Sequence, residues 1–138
     1  MSGHAVTGSC LCGKVRYELK DNLGVFQYCH CSRCRKFTGG AFAANIFVAP
    51  GDLNWLDGEK LVGRYDPEHT KYFATAFCKN CGSSLPWLSK SGRVIVVPAG
   101  TLDEDPGIRP DKNIFCASRA EWYASVESLP QHDEGPPR

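Results

Sequence analysis

Seven of the eight cysteines in this 138-residue chain fall into three short blocks, and their sulfurs are the groups best suited to chemistry. The densest block is Cys29-His30-Cys31-Ser32-Arg33-Cys34, with the spacing C-x-C-x2-C. That spacing lets three thiols converge on one point without help from distant chain. A zinc ion with three protein ligands keeps a fourth position for water or substrate, the layout of catalytic sites. The pairs Cys10-x-Cys12 and Cys78-x2-Cys81 together supply the four sulfurs of a closed, structural site. In a straight strand Cys10 and Cys12 point to one face, the first requirement for sharing an ion. Gly82, directly after the second pair, suits the positive φ that often follows such a knuckle.

Other readings of the thiols stand beside this one. His30 could close the central site as a fourth ligand, although on an extended segment its ring faces away from Cys29 and Cys31. The trio could share an ion with one of the pairs. Seven clustered cysteines cannot fill two closed four-sulfur sites, so one site stays open or borrows another ligand. Disulfides are disfavoured, because Cys10 and Cys12 are too close to bridge easily and no export signal is seen. Cys116 stands apart in Ile114-Phe115-Cys116-Ala117 and is expected to be a buried thiol of an apolar strand.

An open zinc–thiolate site suits a thiol, which loses its proton on coordination and can then add to an aldehyde carbonyl. The reverse reaction cleaves a carbon–sulfur bond. Arg33, Arg35 and Lys36 offer cations to a carboxylate of such a thiol, and also read as a solvated helix face. Thr38 and Gly39 could let a substrate backbone approach closely, or simply stop the helix.

These residues need elements to position them. Lys14 to Lys20 alternates, with Val15, Tyr17 and Leu19 on one face, and predicts a half-buried strand. Ala5–Cys10, Val25–Cys31, Ala41–Val48 and Lys71–Phe77 are further predicted strands. Leu53–Leu56 and Leu61–Tyr65 predict a hairpin about Asp57-Gly58, and Leu85–Leu88 with Val94–Pro98 a pair about Ser91-Gly92. Ile114–Ala117 is the last predicted strand. Ser32 is expected to cap a short helix over Arg33–Phe37 that ends at Thr38-Gly39-Gly40. A single domain over residues 1–127 is expected, followed by a disordered polar tail over 128–138. Many short strands with little helix predict a mainly β sandwich or barrel-like fold.

Composition narrows the function classes. With 42% hydrophobic and 22% charged residues the chain is globular. A net charge of +1 with no basic arm argues against nucleic-acid partners. No apolar run reaches the roughly 18 residues of a spanning helix, so no membrane partner is expected. Residues Met1-Ser2-Gly3-His4 lack a secretory pattern, and a cytoplasmic location with reduced thiols is expected.

The order Gly8-Ser9-Cys10-Leu11-Cys12-Gly13-Lys14-Val15, Cys29-His30-Cys31-Ser32-Arg33-Cys34-Arg35, Thr38-Gly39, Phe77-Cys78-Lys79-Asn80-Cys81-Gly82-Ser83 and Ala99-Gly100-Thr101-Leu102-Asp103 resembles the glutathione-dependent formaldehyde-activating family. That family also includes centromere protein V. The resemblance covers roughly residues 5 to 125. It implies a β-tent fold of short antiparallel sheets with two zinc ions per chain. Cys10, Cys12, Cys78 and Cys81 would hold the structural zinc, and Cys29, Cys31 and Cys34 the catalytic one. It implies carbon–sulfur lyase chemistry on a small thiol such as glutathione and a small aldehyde such as formaldehyde. A histidine often stands in the family where this chain has Asn113. The rival readings are a non-enzymatic zinc-binding interaction module and a thiol-redox or zinc sensor.

Overall fold

The structure, a computed structural model, describes residues 5–137. It is mainly β, built from three small sheets and one α-helix. The first sheet joins β1 (Val6–Ser9), β2 (Arg16–Leu19) and β5 (Leu53–Asp57) in the order β1-β2-β5. The central sheet contains β3 (Phe26–Cys29), β4 (Ala43–Val48), β9 (Trp87–Leu88), β10 (Ile95–Pro98) and β11 (Asn113–Ile114), ordered β11-β3-β4-β10-β9. The third joins β6 (Val62–Tyr65), β7 (Thr75–Cys78) and β8 (Ser84–Leu85). Neighbouring strands are antiparallel except β11, which runs parallel to β3.

Period-two burial decides which face each side chain takes. Tyr17 and Leu19 of β2 are fully buried against Ile46, Val48 and Val97 of the central sheet. Tyr17 also closes its polar end, with its hydroxyl 2.6 Å from Thr101 Oγ1. Burial pushes that phenol well above its ordinary range. The opposite face of the central sheet carries Gln27, Cys29, Ala43, Asn45, Phe47 and Val96, because these alternate with the core-facing set along each strand. This second face is the floor of the site described below.

Several expected elements hold in place, and others are redirected. The helix α1 (Ser32–Thr38) ends at Gly39 in the left-handed conformation, as expected. Its cap is Cys31 rather than Ser32: the Cys31 sulfur accepts from Cys34 N–H at 3.4 Å. The expected hairpin about Asp57-Gly58 is absent. β5 pairs with β2 and β6 pairs with β7, so the two strands belong to different sheets. A 3₁₀ turn over Glu59–Leu61 separates them, and alternation specifies a strand without naming its partner. The strand expected over Lys71–Phe77 is confined to its C-terminal part. Pro86 splits the Leu85–Leu88 stretch between β8 and β9, since its nitrogen has no proton for a ladder. The strand expected over Ile114–Ala117 is two residues long, and a 3₁₀ turn over Cys116–Ser118 follows it. Cys116 is therefore exposed, against expectation. Beyond the 3₁₀ turn at Val126–Ser128 the described residues form no regular element and are exposed.

Gly58 is the redirecting residue. Its φ is 74°, and a Cβ there would lie 2.1 Å from the Lys14 carbonyl oxygen. Gly58→Ala is expected to cost about 2 kcal/mol or more, because strain and a backbone clash combine. Gly100→Ala has open space and should stay within about 0.5 kcal/mol of the parent. Urea unfolding of both variants checks this, and equal midpoints would refute it.

Candidate metal and active site

The four-cysteine cluster forms where the β1–β2 turn meets the end of β7. Cys10 Sγ lies 3.5 Å from Cys12 Sγ, and Cys12 Sγ lies 3.9 Å from Cys78 Sγ. With Cys81 they form a group whose sulfurs all lie within 4.8 Å of one another. Backbone and hydroxyl groups hold it. Val15 N–H points at Cys10 Sγ at 3.3 Å, and Ser83 Oγ sits 3.2 Å from Cys81 Sγ while accepting from Leu11 N–H. Gly82, at φ 81°, makes the turn that brings Cys81 back over Cys78, as expected for this knuckle. The Ser83 hydroxyl holds the Cys81 thiol down at about 5, and the Asn80 side chain lowers Cys12. Burial raises Cys78.

Cys29, Cys31 and Cys34 form the second group, at the junction of β3 and α1. Cys29 and Cys34 are buried and Cys31 half-buried. A hydrogen bond from Cys34 holds Cys29 down at about 6, and the same contact with burial raises Cys34. His30 turns away, as its place between two cysteines on extended backbone requires. Its Nε2 lies 2.9 Å from Asn113 Oδ1, and its ring packs against Phe42 and Tyr123. His30 is thus a buried strut between β3 and β11, outside the sulfur group.

All three cysteines line a cavity of about 510 Å³. Its floor is the second face of the central sheet, with Gln27 and Asn45 beside the sulfurs and Phe47, Trp87 and Val96 beyond. Tyr72, 56% exposed, and Phe115, 62% exposed, stand at its mouth. Phe115 has φ 56°, the only positive φ outside glycine among the described residues. A second cavity, of about 880 Å³, opens on the other side of Arg33, His69 and Phe73, which line both. Lys36 and Asp66 line that second cavity. Lys90 Nζ braces the loop between them by donating to Pro67 O at 2.7 Å and Thr70 O at 2.9 Å.

The expected substrate contacts separate at this point. Arg33 and Lys36 face the cavities. Arg35 lines neither of these two, and its Nε is buried without a hydrogen-bond partner among the described residues. Thr38 is turned to its own helix, its hydroxyl donating to Cys34 O at 2.9 Å, and Gly39 is the helix cap. Gln27, Asn45, Tyr72 and Phe115 are lining residues that the spacing of the cysteines does not announce. Two signals were available. Gln27 lies two residues before Cys29 and so shares its face, and Asn45 is a lone amide in an apolar strand.

The model of the family described as glutathione-dependent formaldehyde-activating enzyme matches residues 5–118. The chain belongs to this family. A Halomonas elongata protein, provisionally named as a glutathione-dependent formaldehyde-activating enzyme, is 28% identical over 130 residues, which cover 90% of this chain and 82% of that one. The crystal structure of a Rhodobacter sphaeroides protein has a similar fold: TM-score 0.59, 24% identity, 78% of this chain and 97% of that chain. For a member of the glutathione-dependent formaldehyde-activating family, the question is whether the sulfurs fit metal. Sulfurs about 2.3 Å from one tetrahedral ion stand about 3.8 Å apart. The separations of 3.5 and 3.9 Å in the four-cysteine cluster match this, and both clusters could hold metal ions. Among the described residues no helix is long and apolar enough to cross a membrane.

Proposed function

We propose that this chain is a zinc-dependent, carbon–sulfur lyase-like enzyme that joins a glutathione-type thiol to a small aldehyde such as formaldehyde, or reverses that step. The observation that carries the reading is the contrast between the two sulfur groups. Cys29, Cys31 and Cys34 line a cavity roomy enough for a substrate, whereas none of Cys10, Cys12, Cys78 and Cys81 lines either cavity beside the helix. An all-sulfur donor set, free of carboxylates, suits zinc among the common divalent ions. The four-sulfur group would then hold a structural zinc.

Held by Cys29, Cys31 and Cys34, zinc would leave one position open and would stabilise an incoming sulfur as thiolate. The protein's own residues do the rest. The apolar walls from Phe73, half-buried, and Trp87, buried, line the space beside the sulfur. Arg33, shared by both cavities, and Lys36 attract the carboxylates of an anionic thiol. The aldehyde carbon meets the sulfur over the central sheet. The new carbon–sulfur bond takes the sulfur's lone pair, the carbonyl π pair moves to oxygen, and that oxygen regains from solvent the proton the thiol lost. Nothing is oxidised or reduced.

The test combines stoichiometry with exchange. Metal-loaded, dialysed protein should hold two zinc ions per chain, and Cys34→Ser should hold one firmly. Carbon-13 formaldehyde mixed with glutathione should exchange faster between its hydrated and adduct forms, by nuclear magnetic resonance, when the native chain is added. Exchange no faster than in buffer, or equally fast with Cys34→Ser, would overturn the reading.

A further inference from the structure

The floor of the trio cavity carries two carboxamides in otherwise apolar company. Gln27 and Asn45 are opposite each other on β3 and β4, two residue pairs along from Cys29 and Ala43 and so on the same face. Each is 8% exposed, and each lines the cavity. Neither side chain hydrogen-bonds another described protein group, and neither is among the sealed, unpartnered polar atoms, so their amides open on the cavity. Around them stand Phe47, Trp87 and Val96. Their hydrogen-bonding capacity is thus aimed at the cavity, where water holds it until a ligand takes its place.

We propose that Gln27 and Asn45 bind the oxygen of the carbon electrophile, as carbonyl before the carbon–sulfur bond forms and as carbinol after it. This rests on the reading of the neighbouring trio as the sulfur-binding site. Position supports it. Gln27 and Cys29 are two residues apart on one strand face, a Cα separation of about 7 Å. A glutamine side chain and a substrate sulfur both reach into that gap, so an oxygen one carbon beyond the sulfur meets the amides. Chemistry supports it as well. A carboxamide both donates and accepts. Its NH₂ donates to a carbonyl oxygen, and more strongly as negative charge develops there. Its C=O accepts from the hydroxyl of the finished adduct. A carboxylate could accept from the carbinol but would repel the carbonyl oxygen, and a cation could donate to either but accept from neither. The cations stay at the edge, on Arg33 and Lys71, where a thiol's carboxylates belong.

The experiment compares 2-mercaptoethanol with ethanethiol, which differ by one hydroxyl, on the zinc-loaded chain by calorimetry; that hydroxyl lies one carbon further from sulfur than the adduct's, a difference the flexible Gln27 side chain spans. The native chain should bind the hydroxyl thiol about tenfold more tightly, the value of one good hydrogen bond to a buried amide. Gln27→Met and Asn45→Leu keep the shape and should fold, as apolar replacement of an unpartnered amide is near neutral. In each, ethanethiol should bind as before while the tenfold preference disappears. Exchange of formaldehyde with glutathione should fall about a hundredfold, the usual effect of removing one donor from an oxyanion. If one variant fails to fold, the other carries the test alone. A preference kept in the variants, or equal loss of both thiols, would overturn the assignment. Failure of both thiols to bind the native chain would overturn the sulfur site together with it.

Discussion

Cys81→Ser should lower the melting temperature far more than Cys34→Ser does, although Cys34 is the more buried residue. Without metal the order would be reversed. Cys81 is half-buried at the margin of the core, with the Ser83 hydroxyl beside its sulfur, so serine there should be mild. Cys34 is 5% exposed, inside the cluster with Cys29 and Ala43, where a hydroxyl is poorly accommodated. A structural metal would invert this, because four sulfurs holding it would tie the β1–β2 turn to β7 across 66 residues. Structural zinc supplies folding free energy outright, roughly 10–16 kcal/mol in small zinc-finger peptides. That rivals the whole stability of an ordinary domain, about 5–15 kcal/mol. The expected fall for Cys81→Ser is roughly 20 °C or more, and adding a strong chelator to the native chain should reproduce it. Calorimetric melts that rank Cys34→Ser below Cys81→Ser would reject the four-sulfur structural site.

Glutathione should bind the zinc-loaded chain at least about a hundredfold more tightly than S-methylglutathione, because only the thiol can become a thiolate, the better ligand for zinc. A free thiol with a pKa near 8.5 is only a few per cent ionised at neutral pH. Binding should therefore release about one proton per glutathione below that pKa. The sign follows: apparent affinity rises about tenfold per pH unit up to the thiol's own pKa and is flat above it. Cobalt in place of zinc should show a stronger sulfur-to-metal charge-transfer band on adding glutathione and no change with the S-methyl form. The charge contacts give a separate arm. Arg33→Gln with Lys36→Gln should weaken glutathione several-fold, since exposed cations each contribute little, and leave ethanethiol unaffected. Arg35→Gln should do neither, as Arg35 faces neither cavity. Equal affinity for the two forms of glutathione would favour the interaction-module reading.

Local spacing made the central trio legible in the sequence. Three thiols in six residues cannot avoid one another when a strand runs straight into a helix, and β3 and α1 do so. Alternation made the strands legible too, down to Val15, Tyr17 and Leu19 as a buried face. Gly82 and Gly39 announced their own turns. Spacing could not assign partners. Leu53–Asp57 reads as half of a hairpin, yet Gly58, left-handed and with the Lys14 carbonyl where a side chain would be, opens a 3₁₀ turn that leads the chain out of that sheet. Cys116 reads as a core thiol, yet the strand it should occupy stops at Ile114, and Phe115 in the left-handed conformation leaves Cys116 outside.

The sequence by itself determined which atoms could bind metal, which segments alternate and where helix α1 ends, since each depends on neighbours a few residues away. Only the tertiary structure decided that the Cys10 and Cys78 knuckles meet, that Arg33 faces the cavities while Arg35 does not, and that Gln27 and Asn45 lie side by side beneath the sulfurs. Those facts depend on the register of strands far apart in the chain. A shift of one residue in β4 would turn Asn45 into the core and Ile46 into the cavity, with the same amino acids and the same local preferences.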